Sequence, residues 1–81
     1  MMGDIVKDKF YVEYRNLGYS VAYYRKTKGL TQEQLAEKME VNYETIGRIE
    51  NANTGMSLDM LFELSGALGV PLGELFAHAK L

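Results

Sequence analysis

Glu44 and Arg48 stand four residues apart in "YETIGRIEN", and theirs is the most specific chemistry in the chain. Residues at that spacing share one face of a helix. An arginine guanidinium forks onto O6 and N7 of guanine, and a glutamate accepts from the N4 amino group of cytosine. Side by side, they suit the edges of G·C pairs in a major groove. The alternative is a solvated surface ion pair, worth about 0.2–0.5 kcal/mol. Tyr43, just before them, either meets a thymine methyl or a phosphate, or packs on a neighbouring helix.

Catalytic chemistry finds no comparable grouping. Asp59 and Glu63 are also four apart, but they read as a charged helix face, with no third group to make them an acid–base pair. His78 is the single histidine and lacks ligand neighbours in sequence, so it reads as a surface residue and no metal site. There is no nucleophile beside a base and no phosphate-binding glycine loop. The expectation is a protein that is not an enzyme, with no cofactor and no small-molecule substrate.

The elements that must position Glu44 and Arg48 are helical. Phe10, Tyr14, Leu17, Val21 and Tyr24 step by four and three, which predicts a helix closed by "KTKG" and Gly29. Within it, "FYVEY" is β-branched and aromatic and could instead form a short strand, and Gly18 allows a break. Thr31 and Gln34 form a capping box at the head of "TQEQLAEKM", whose inner face is Leu35, Ala36 and Met39. Asn42 is placed to N-cap the next helix, with Ile46 and Ile49 inward. Between them "MEVN" is a turn of the length that joins two helices at a steep angle, with Val41 as an apolar plug. Asn42, Tyr43, Glu44, Gly47 and Arg48 are left on the open face. Ser57 caps a fourth helix, and "VPLGELFAHAKL" opens a fifth with an early proline. The expected fold is all-α, a compact five-helix bundle, with residues 1–16 as an N-terminal extension whose structure the sequence does not fix and 17–81 as the domain.

Composition bounds what such a bundle does. Eighty-one residues make one small domain. No cysteine is present, so no disulfide or thiolate metal site staples it. No apolar run approaches the roughly 20 residues of a membrane span, and "MMGDIVKDKF" has charges where a signal peptide needs its apolar core. A soluble, cytoplasmic protein without a membrane partner is expected. The net charge of −2 is unevenly spread: residues 1–30 carry +3 and residues 31–81 carry −5. Strongly basic DNA-binding domains announce themselves by charge, and this chain does not.

Taken together, "GLTQEQLAEKMEV", "TIGRIEN" and "SLDMLFELSGALGVPLGELF" resemble the lambda-repressor-like helix-turn-helix domains of the Xre and Cro/C1 type. The resemblance covers about Leu17 to Phe76 without a gap. It implies a five-helix domain that binds operator DNA as a homodimer to regulate transcription, with the motif at 32–51. Position by position, it implies base reading by Tyr43, Glu44 and Arg48. It also implies phosphate contacts from Gln32, Asn42, Asn51, Asn53 and Thr54, and a structural ion pair between Arg25 and Glu50. Gln32 has the alternative of being only a helix-start residue. Two glycines common in the family are replaced, by Glu40 in the turn and by Ala52 after the third helix. The loop "NANTGM" carries no charge, so it would release fewer counterions on phosphate.

Five glutamates lie between Gln32 and Asn51. Glu50 is assigned to Arg25, Glu33 and Glu37 lie away from Leu35 and Met39, and Glu40 is in the turn. Only Glu44 points where bases would be, so the acidity predicts weak non-specific binding rather than none. The rival expectation is a protein-interaction module, antitoxin-like or an anti-regulator, using its acidic, tyrosine-rich surface. For a homodimer, the sequence offers Leu72, Leu75, Phe76 and Leu81 as an exposed apolar surface.

Overall fold

Five helices follow one another in this computed structural model, which describes residues 2–81, with side chains from residue 9 onward. They are α1 (Met2–Thr27), α2 (Gln32–Met39), α3 (Tyr43–Glu50), α4 (Leu58–Leu68) and α5 (Leu72–His78). No strand occurs among the described residues. The starts of α2 and α4 have side-chain caps. The Thr31 hydroxyl accepts from the Gln34 N–H at 3.0 Å, and the Gln34 side chain accepts from the Thr31 N–H at 2.9 Å. This closes the capping box and satisfies two backbone donors that α2 leaves open. Ser57 Oγ accepts from the Met60 N–H at 3.0 Å and starts α4. Asn42 holds the N-cap position of α3 with extended backbone, but its side chain makes no capping bond. Pro71 occupies the N-cap of α5 and its carbonyl accepts from Glu74 and Leu75.

The segment "FYVEY" is helical, not a strand. A lone strand there would leave its N–H and C=O groups without a ladder, whereas a helix pairs them internally. α1 does bend, at Phe10 (φ −124°, ψ 28°) and not at Gly18. Gly18 serves close packing. A Cβ built on it would lie 2.6 Å from the Ile49 carbonyl oxygen and 2.7 Å from that of Glu50, so α1 and α3 cross backbone to backbone there.

The core gathers one side of every helix: Leu17 and Val21, Leu35 and Met39, Ile46 and Ile49, Leu61, Leu64 and Leu68, and Leu75. Burying each such side chain contributes about 1.5–3 kcal/mol relative to leaving it exposed. α1 packs on α3, α5 and α4, while α2 packs on α3 and α4. Inside this core Ser20 is fully buried, and its hydroxyl donates to the Leu75 carbonyl at 2.8 Å.

The apolar surface differs from the expectation. Leu75 is fully buried, and Leu72 and Phe76 are half-buried against the core. Of the four residues expected at a dimer face, Leu81 is exposed. The periodic pattern of α5 turns its leucines onto α1 and α4, leaving the surface to Gly73, Glu74 and Ala77. Leu58 and Phe62, two large apolar residues of α4, are exposed. Among the described residues no single helix is long and apolar enough to cross a membrane.

Candidate nucleic-acid interface

The α2–α3 corner turns on Glu40, which adopts the left-handed conformation (φ 58°, ψ 43°). The Glu40 N–H bonds the Glu37 carbonyl and the Val41 N–H bonds the Ala36 carbonyl, at 3.2 and 3.0 Å. This is the Schellman way of ending a helix, in which glycine is the usual residue. Ala36 is buried where α2 meets α3, and Val41 packs on the core behind the turn. α3 then buries Ile46 and Ile49 and leaves its far side outward.

Asn42, Tyr43, Glu44 and Arg48 are all exposed on that outward side, with Gly47 half-buried between them. Glu44 and Arg48 make no ion pair with each other among the described contacts, so both ends are open to a ligand. Tyr43 does not vanish into the neighbouring helix: half of its surface is open. Its ring borders a shallow cleft of about 320 Å³ shared with Thr31, Gln32, Glu33 and Arg25. The outer face of α3 and the start of α2 therefore form one continuous surface.

Beneath that surface lies a polar network. The Arg25 guanidinium donates from Nε to Glu50 Oε2 at 2.6 Å and from Nη2 to Glu50 Oε1 at 3.1 Å. Its Nη1 donates to the Leu30 carbonyl at 2.7 Å. Gln32 Nε2 adds a further bond to Glu50 Oε1 at 2.9 Å. Arg25 and Glu50 are both buried, and a buried charge that loses its partner costs about 3–5 kcal/mol. The pair thus ties the end of α1 to the end of α3, and Gln32 joins the start of α2 to both. The Gln32–Glu50 bond is not readable from the sequence, where its partners lie 18 residues apart. Because a carboxamide nitrogen has two hydrogens, Gln32 keeps one for another acceptor.

The other sequence candidates line the far end of α3. Asn51 is its exposed C-cap, Asn53 is exposed with its N–H on the Arg48 carbonyl at 2.8 Å, and Thr54 is half-buried. Between them Ala52 is buried at φ 58°, so both positions where family glycines are replaced are left-handed here. Among the described residues, no group of three metal-capable side chains gathers.

The chain matches the family model described as helix-turn-helix over residues 21–75. It is 38% identical over 56 residues to an uncharacterised HTH-type transcriptional regulator of Methanocaldococcus jannaschii, covering 69% of this chain and 85% of that one. It is 32% identical over 65 residues to the competence pilus inhibition repressor of Acinetobacter baylyi, covering 80% of this chain and 59% of the repressor. Its fold is similar to the crystal structure of the clp gene regulator ClgR of Corynebacterium glutamicum. The TM-score is 0.81 at 25% identity, covering 84% of this chain and 88% of that one. The open face of α3, the buried network behind it and these matches agree: the chain belongs to the Cro/C1-type helix-turn-helix family of DNA-binding transcriptional regulators.

Proposed function

We propose that the protein is a sequence-specific regulator that binds a double-stranded operator as a homodimer in the cytoplasm. One observation carries this reading: α3 buries Ile46 and Ile49 and presents Tyr43, Glu44 and Arg48 together on its open side. In the reading, Arg48 forks onto guanine and Glu44 accepts from cytosine, biasing those positions to G·C. Tyr43 supplies a ring for a thymine methyl. Gln32 gives its second N–H to a phosphate while Glu50 holds its first. Asn42 stands near the phosphates at the start of α3, and Asn51, Asn53 and Thr54 contact the backbone beyond its end. Two copies would place their α3 helices about one helical turn of DNA apart.

The test is selection from a random duplex library at about 50 mM salt, where phosphate contacts are strong, with Arg48→Ala in parallel. A two-fold symmetric motif that loses a guanine in Arg48→Ala is the expected result. A folded protein that enriches no sequence overturns the reading and directs attention to a protein partner for Glu33, Glu37 and Glu40, all exposed along α2 and its turn.

A further inference from the structure

α1 carries a feature that base reading does not use. Tyr11, Arg15, Tyr19 and Tyr23 follow one another at intervals of four, a single ridge along the helix. The ridge faces away from Leu17 and Val21, and the three tyrosines are 41%, 60% and 48% exposed. The Arg15 guanidinium sits between the first two rings, 5.9 Å from the Tyr11 centroid and 6.0 Å from that of Tyr19. Its Nε is shielded from solvent and has no hydrogen-bond partner. Tyr23 is held in place by His78, whose ring stacks on it at 4.3 Å. Ordered tyrosines around an arginine are the composition of energetic centres in protein interfaces.

We propose that this ridge is the surface through which a second copy of the chain binds, α1 against α1, antiparallel. The proposal names the interface of the homodimer read above and rests on that reading. Self-complementarity selects the occupant. A two-fold axis level with Leu17 brings Arg15 of each copy over Tyr19 of the other, a cation–π pair. The same axis brings Tyr11 over Tyr23 and Val12 over Ala22. A parallel arrangement instead sets Arg15 on Arg15, so charge favours the antiparallel one. The three half-exposed rings offer roughly 300 Å². Val12, Ala22 and Lys26 enlarge the face, which stays below the roughly 800 Å² per partner of a standard interface and so fits a weak, reversible dimer.

Sedimentation velocity on the full chain from about 1 to 100 µM tests this, across the range where a weak dimer dissociates. Tyr19→Arg sets two arginines together across the axis, and the dimer dissociation constant is expected to rise at least about tenfold. Adding Arg15→Glu to that variant restores opposite charges and is expected to restore the dimer. Circular dichroism reports folding, and Phe62→Asp on the other exposed apolar face serves as a control. A wild-type dimer that survives Tyr19→Arg but is lost in Phe62→Asp overturns the ridge and leaves the homodimer standing. A Tyr19→Arg monomer that Arg15→Glu does not restore overturns the antiparallel register. A wild type that stays monomeric throughout overturns both the ridge and the homodimer.

Discussion

Gln32, the first residue of α2, is hydrogen-bonded to Glu50, the last residue of α3, at 2.9 Å. The bond spans the corner of the helix-turn-helix, and Arg25 holds the same carboxylate from the α1 side. The open face of α3 is thereby fixed relative to two other helices, not merely to the turn before it.

Removing Glu50 should be the most damaging change in the network. Glu50→Ala leaves Arg25 buried without a counter-charge, and a loss of about 3 kcal/mol is expected. For a domain of this size that is a fall of roughly 15 °C in Tm. Urea denaturation of Glu50→Ala, Arg25→Met and the double variant checks it. The double variant should lose less than the two singles added together, because no lone charge remains.

Gly18→Ala is expected to cost about 1–3 kcal/mol despite the higher helix propensity of alanine, since overpacking forces backbone to move. The 2.6 and 2.7 Å approaches are to carbonyl oxygens, which have no rotamer with which to yield. Gly47→Ala is the contrast. Its added carbon meets only the Gln32 side-chain oxygen at 3.8 Å, an ordinary contact. Thermal melts of both variants should separate them, with Gly47→Ala neutral or better.

Glu40→Gly should stabilise the fold by up to about 1 kcal/mol, because a left-handed non-glycine residue is strained and the side chain is exposed. Ala52→Gly relieves the same strain but removes a buried methyl, which contributes about 0.8 kcal/mol. It should therefore come out near neutral. Chemical denaturation of the pair distinguishes relief of strain from loss of packing.

DNA affinity should divide the surface in two. Arg48→Ala is expected to cost about 1–3 kcal/mol on the preferred operator and to relax the base preference at one position per half-site. Asn53→Ala should weaken all sequences alike. The uncharged "NANTGM" loop predicts a shallow dependence of affinity on salt. Fluorescence anisotropy against matched and scrambled duplexes at several salt concentrations reads all three.

What the sequence made legible is what neighbours in sequence decide. Thr31 with Gln34, Ser57 with Met60, and the inward pairs Leu35/Met39 and Ile46/Ile49 are local periodicities and caps. The unusual Glu40 is visible only through the family resemblance, as a missing glycine. What stayed hidden depends on partners far along the chain. Gly18 reads as a break until Ile49 lies against it. Leu75 and Leu58 look alike in sequence, but α1 and α4 cover the first, whereas among the described residues the second is exposed. His78 is exposed, as its sequence reading has it, but its stacking on Tyr23 was not legible. Of the candidate site, the outward residue types were readable, whereas the anchoring of Gln32 to Glu50 was not.

The bond from Ser20 to the Leu75 carbonyl joins the first helix to the last across 55 residues. A nascent chain released only as far as α4 has a hydroxyl facing an apolar hollow, with neither Leu75 to fill it nor a carbonyl to accept the proton. Such an intermediate gains little from closing early. Closure of the core should therefore wait for α5 to clear the ribosome, so that α1 and α5 order together.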